Sequence, residues 1–184
     1  MPASRHLALI GLMGAGKTTV GARCAERLGR DLVDTDALVE AVTGLTVAEI
    51  FAHHGEASFR AMERTAVADA VASPAELVIS CGGGVATDVE NRAALRRGCV
   101  VVWLDGPSDV LAARVAGDTG RPLLASGDRV ATLDRLARSR GDAYAACADA
   151  RVDTTSLTPD EVTEAVLSAY STRSEGNGGG EGGA

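Results

Sequence analysis

The sequence predicts an α/β protein: three layers, α/β/α, around a five-stranded parallel sheet. Three observations lead there. Five short strand-like runs alternate with longer segments of helical periodicity through almost the whole chain. The strongest runs, such as CVVVWLD at 99–105, are continuously apolar up to a closing polar residue instead of alternately apolar and polar, as strands are when helices cover both faces of the sheet. The length, 184 residues, suits one well-buried domain and is short for two.

The elements follow in order. HLALIG (6–11) is a short apolar strand that ends on glycine, and KTTVGARCAERLG (17–29) follows with apolar positions at helical spacing and Gly29 as a stop. DLVD (31–34) is a second strand. Two or three helical pieces occupy about 36–73, broken at TGLT and HHGE. ELVIS gives the third strand, after which Gly82, Gly83 and Gly84 lead into the helical DVENRAALRRG. CVVVWLD is the fourth strand, and Pro107 and Ser108 open the next helix in positions suited to an N-terminus. RVAGDTGRPLLASGDR (114–129) is polar and glycine-punctuated, hence a loop. A helix covers about 129–149, ARVDT is the fifth strand, and TPDEVTEAVLSAY closes as a helix with Thr158 as cap and Pro159 in its first position. From residue 171 the chain reads STRSEGNGGGEGGA, with nothing apolar to offset the entropy of ordering it, so 172–184 is expected to be a disordered glycine-rich tail.

Composition narrows the partners. The hydrophobic share of 46% and charged share of 23% are those of a folded globular protein. With 25 acidic against 18 basic residues the net charge is −7, which argues against a nucleic-acid or membrane-surface partner. Cys24, Cys81, Cys99 and Cys147 are far apart, with no C-x-x-C pair, which fits a reducing cytoplasm better than a zinc site or a disulfide framework. No apolar run approaches the ~20 residues of a membrane span. The N-terminal apolar run is interrupted at once by Gly and Lys and reads as strand and loop, not as a signal peptide.

Ligands of a parallel sheet sit beyond the carboxyl ends of its strands, so the residues after each strand carry the chemistry. After the first comes Gly11-Leu-Met-Gly-Ala-Gly16-Lys17-Thr18, which satisfies G-x-x-x-x-G-K-[ST] at every fixed position. Its glycines let backbone N–H groups wrap phosphate oxygens, and the helix starting at Lys17 presents its positive end. The expected nucleotide contacts are Gly14, Ala15, Gly16, Lys17, Thr18 and Thr19, with Lys17 on the β- and γ-phosphates and the Thr18 hydroxyl on magnesium. After the second strand come Asp34 and Asp36. Either they end a strand and cap a helix, or they handle a metal and a proton; two residues apart in an extended segment, both would face the phosphate site.

The motifs Gly11–Thr18, DTD, GEASFR, GGG, RPLL and RSRGDAY occur together in the order and approximate spacing of the shikimate kinases, over about residues 5–170. The chain resembles that family, and the resemblance implies a phosphate-loop fold of the nucleoside monophosphate kinase type: a single kinase domain at 1–171, an acceptor-binding segment at about 36–64 and a lid at about 115–127. It implies ATP as co-substrate, Mg²⁺ as cofactor, shikimate as acceptor through its 3-hydroxyl, and a monomer. Carried onto this sequence, Asp36 holds the acceptor hydroxyls and takes the proton, Asp34 meets magnesium through water, and Arg60 and Arg140 (in Arg-x-x-x-Tyr, with Tyr144) clamp the substrate carboxylate. Gly82 and Gly83 offer backbone to the substrate, Arg114 stacks on adenine, and Arg121 swings onto the ATP phosphates. Taken without the family, Arg60 would be an i,i+4 partner of Glu56 and Arg140 a solvated helix arginine. One departure stands out: family members that carry a second arginine beside adenine do so where this chain has Leu157 or its neighbours. Other readings are a related gluconate-type kinase and a silent nucleotide-binding module. The second would predict damage at Lys17, Asp36 or Arg121, and all three are intact.

Overall fold

The computed structural model describes residues 5–115 and 128–176, with the side chains of the last two left aside. The elements are β1 (His6–Ile10), α1 (Lys17–Leu28), β2 (Asp31–Asp34), α2 (Thr35–Thr43), α3 (Val47–Val71), β3 (Leu77–Ser80), a 3₁₀ turn (Val85–Thr87), α4 (Val89–Gly98), β4 (Cys99–Asp105), α5 (Ser108–Arg114), α6 (Arg129–Cys147), β5 (Ala150–Asp153) and α7 (Pro159–Gly176). The strands form one parallel sheet in the order β2-β3-β1-β4-β5.

The strand sequences explain that order. β1, β3 and most of β4 are fully buried, whereas β2 and β5, which carry Asp31, Arg151 and Asp153 at exposed positions, occupy the edges where charge is tolerated. Leu9 pairs with Val102 and Ile10 with Trp103, so neighbouring positions face opposite sides of the sheet. α1 lies over the Leu9 side: a Cβ built on its Gly21 would sit 3.0 Å from Leu32 and 3.5 Å from Leu9. α6 lies over the Trp103 side, where Tyr144 packs with ring centroids 5.6 Å apart. A second, smaller apolar cluster of Val39, Ile50, Phe59 and Ala66 holds α2 against α3, apart from the main core.

Helix breaks fall on the expected residues. Gly44 closes α2 in the left-handed region, and Thr46 opens α3 through a reciprocal capping box with Glu49. α3 is bent at Gly55, whose φ of 77° and ψ of 169° are non-helical, so HHGE marks a kink between two helical stretches. The glycine run does not enter α4 directly. A 3₁₀ turn intervenes, and Asp88 then caps α4 by accepting from the Glu90 and Asn91 amides. The expected boundary at residue 171 is too early. α7 continues to Gly176, because no glycine interrupts the segment before that position and helical bonding persists, as in Thr172 Oγ1 to the Ser168 carbonyl. The rest of the expected tail, 177–184, lies outside the described residues, as does 116–127, which holds nearly all of the expected lid and Arg121.

Candidate active site

The phosphate loop is shaped by close backbone contacts. Gly11 and Gly14 have φ of 141° and 83°, and a Cβ on either would lie 2.2 Å from the Leu104 carbonyl oxygen or 2.5 Å from that of Leu111. The loop is therefore pressed against the end of β4 and against α5. Gly16, at φ 92°, stands at the N-cap of α1 with no side chain capping the helix, and no acidic residue occupies the first turn. Lys17 Nζ lies across the loop, donating to the carbonyls of Gly11 at 2.9 Å and Leu12 at 3.0 Å. Helix amides with no side-chain cap plus one ammonium make an anion cradle.

Asp34 turns out to do two things with its two oxygens. Oδ1 accepts from the amides of Asp36 at 3.0 Å and Ala37 at 3.4 Å, which makes Asp34 the N-cap of α2. Oδ2 accepts from the Thr18 hydroxyl at 3.2 Å. Asp36 belongs to the first turn of α2, so the two aspartates do not share one extended segment as expected; the helix start, not strand alternation, sets the direction of Asp36. Thr18 Oγ1 also lies 3.4 Å from the buried Ser80 hydroxyl. A hydroxyl and one carboxylate next to a phosphate cradle suit magnesium, which keeps most of its waters and takes phosphate oxygens for the rest.

A second group of polar side chains gathers on the glycine run after β3. A Cβ on Gly82 would lie 2.5 Å from Asp36 Oδ1 and 3.1 Å from Glu63 Oε1, so both carboxylates converge where that side chain is missing. The Gly82 amide itself donates to the fully buried Thr35 hydroxyl at 2.8 Å, so the contribution of Gly82 is clearance rather than an amide. Gly84 gives the same clearance to Arg60, whose Nη1 would be 2.2 Å from a Cβ there. Arg60 bonds Glu63 at 2.8 Å and Glu56 at 3.2 Å, so the helix pair anticipated for it does form and, with Glu63, holds its guanidinium in place. Arg140, 9% exposed, donates from Nη1 to the Gly83 carbonyl at 2.9 Å; it is buried, not solvated. Gly83 in turn approaches the Gly11 carbonyl, 3.7 Å from its would-be Cβ. The phosphate loop and the glycine run are thus in contact.

Sequence reasoning missed Glu63, Thr35 and Ser80. Glu63 is 1% exposed, and its Oε1 has no hydrogen-bond partner among the described residues. Burial pushes its carboxyl up, and Asp36 adds to this, against the downward pull of Arg60 and Arg140. For Arg60 the burial effect is outweighed by Glu63 and Glu56, which raise it.

Arg114 donates from Nη1 to Thr154 Oγ1 at 2.9 Å and from Nη2 to the Thr154 carbonyl at 2.6 Å. It borders a cavity of ≈ 430 Å³ that runs from the phosphate loop, Thr18 and Thr19 included, to Leu157, Pro159 and Val162. Leu157, one of the residues expected where relatives carry a second arginine, gives that wall an apolar face.

A phosphate cradle touching a basin of paired carboxylates and guanidinium groups, at the carboxyl ends of a parallel sheet, defines a phosphate-loop kinase of small molecules. Comparison with known proteins narrows the class. Residues 13–171 match the family model for shikimate kinase. The chain is 44% identical over 172 residues to the shikimate kinase of Symbiobacterium thermophilum, covering 92% of this chain and 98% of that one. It is 48% identical over 164 residues to that of Thermobifida fusca, covering 89% and 94%. Among solved structures, the shikimate kinase of Acinetobacter baumannii in complex with shikimate superposes with a TM-score of 0.88 at 32% identity, over 94% of this chain and 96% of the other. A gluconokinase from Sinorhizobium meliloti, at a TM-score of 0.61 and 21% identity over 96% and 97%, shares the fold. The chain belongs to the shikimate kinase family.

Proposed function

We propose that this protein transfers the γ-phosphoryl group of ATP to the 3-hydroxyl of shikimate, giving shikimate 3-phosphate on the route to chorismate and the aromatic amino acids. Within the family, the observation that carries this reading is the convergence of Asp36, Glu63, Arg60 and Arg140 on the glycine run that abuts the phosphate loop. In this reading Arg60 and Arg140 grip the acceptor carboxylate, since a guanidinium binds it through two parallel hydrogen bonds. Asp36 orients the attacking hydroxyl and accepts its proton. Lys17 and the first-turn amides of α1 hold the β- and γ-phosphates, and Arg121, outside the described residues, is the further phosphate contact that the family resemblance implies. Thr18 and, through water, Asp34 are the residues that would hold Mg²⁺, which when bound neutralises charge across the β- and γ-phosphates. Adenine lies between Arg114 and the apolar wall of Leu157 and Pro159. The protein acts as a monomer in the cytoplasm.

A coupled ADP-release assay with shikimate, quinate, gluconate and AMP tests the assignment. Shikimate alone should give rapid turnover, and turnover on gluconate without shikimate activity would sink it. A second expectation concerns the clamp. Arg60→Lys should raise the KM for shikimate about 10-fold or more, with kcat changed less, because an ammonium cannot reproduce the bidentate fork. Unchanged KM in steady-state kinetics would remove Arg60 from the carboxylate site.

A further inference from the structure

The Gly83 carbonyl receives two donors: Arg140 Nη1 at 2.9 Å and the Tyr144 hydroxyl at 2.6 Å. A carbonyl oxygen has two lone pairs, so this one is fully used before any substrate arrives. Tyr144 is 1% exposed and packed against Trp103, so its hydroxyl has little freedom to point elsewhere. Burial pushes its phenol up to about 12, against a lowering pull from Arg140, and it remains a neutral donor at physiological pH. The two side chains stand one helical turn apart on α6, and the guanidinium lies close over the glycine run, 3.3 Å from the position of a Cβ on Gly83.

The two donors differ in what they can do next. Tyr144 is fixed; Arg140 is the group that turns to a substrate carboxylate in the function proposed above, on which this inference rests. When Arg140 turns, the Gly83 carbonyl keeps one donor because Tyr144 stays. We propose that Tyr144 is a positioning residue for acceptor binding: it holds the Gly83 carbonyl so that Arg140 can leave it for the substrate without orphaning a buried oxygen. Without the phenol hydroxyl, recruiting Arg140 strips that carbonyl of its last donor, and shikimate binding bears the penalty of an unsatisfied polar group.

Tyr144→Phe removes one oxygen and leaves the ring on Trp103, so the fold is retained. In steady-state kinetics the variant should show a shikimate KM raised about 10-fold, because a buried acceptor is orphaned on binding, with the KM for MgATP within about twofold of wild type. A double-mutant cycle separates this role from general support of the fold. In an Arg140→Ala background there is no guanidinium to recruit, so adding Tyr144→Phe should shift the shikimate Kd, read by calorimetry, less than about twofold. Three outcomes overturn the inference: an unchanged shikimate KM in Tyr144→Phe, equal rises in both KM values, or the same 10-fold penalty in the Arg140→Ala background. A wild-type protein that turns over shikimate while Tyr144→Phe matches it defeats this inference alone. A wild-type protein inactive on shikimate defeats the function it rests on.

Discussion

Asp36→Asn is expected to lower kcat about 100-fold while leaving nucleotide affinity within about threefold of wild type. The two parts of this expectation have separate origins. Asp36 points to the glycine run, the acceptor site in the function proposed above, where its Oδ1 would sit 2.5 Å from a Cβ on Gly82, whereas Thr18 of the phosphate loop bonds to Asp34. The amide is nearly isosteric, so orientation of the acceptor hydroxyl largely survives and the loss falls on proton acceptance. General-base catalysis is worth about 10²–10⁴-fold, and a loose phosphoryl-transfer transition state, which asks little of a base before bond cleavage, favours the lower end. The measurement is kcat and KM with saturating MgATP, together with nucleotide Kd by calorimetry. A variant with wild-type kcat and a raised KM for shikimate would reduce Asp36 to a hydroxyl-holding group.

The layout of this site was legible in the sequence wherever a local rule determines it. Glycines that must adopt positive φ, such as Gly11, Gly14, Gly16 and Gly44, mark the loop and the helix end regardless of tertiary context. Strand boundaries followed for a related reason: CVVVWL is apolar up to Asp105 because both faces of β4 are covered. What local rules do not carry is which polar residue ends up buried. Glu63 is three residues from Arg60 and Glu56 four residues from it, and along the chain both look like ordinary helix-surface partners. Only the packing of α3 over the glycine run distinguishes them, leaving Glu63 buried and Glu56 exposed. Thr35 is a similar case, a helix-start threonine whose role appears once β3 brings the Gly82 amide to it.

For the two aspartates the geometry expected from the sequence does not hold. Strand alternation would have both point the same way, but α2 begins between them. Asp34 therefore faces the amides of its own helix and Thr18 at once, and Asp36 reaches Gly82 from the first helical turn. Capping does not occupy the whole carboxylate here. An N-cap carboxylate has a second oxygen free of the helix, and in Asp34 that oxygen is the one on the side of the phosphate loop.

Lys17→Met should lower kcat by about 10²–10³-fold, the range found when a single preorganised charge-stabilising donor is removed, while the melting temperature changes by only a few degrees. Stability is spared because the loop does not depend on the ammonium for its shape. The glycines set it, pressed against the Leu104 and Leu111 carbonyls, and a methionine can follow the path of the lysine stem. The carbonyls of Gly11 and Leu12 lose the donor that Lys17 supplies, but these bonds are only partly buried and water can replace the ammonium, so the loss is small. Catalysis is not spared, because charge moves onto the β–γ bridging oxygen and the equatorial γ-oxygens as the phosphoryl group leaves, and no other cation of α1's first turn can replace the ammonium. Ground-state binding of MgATP should weaken less, about 10-fold, since the helix amides remain. Thermal melts, nucleotide Kd and single-turnover rates separate the three quantities. A single-turnover rate within tenfold of wild type would mean that the α1 amides alone carry the phosphates, with Lys17 serving only to brace the empty loop.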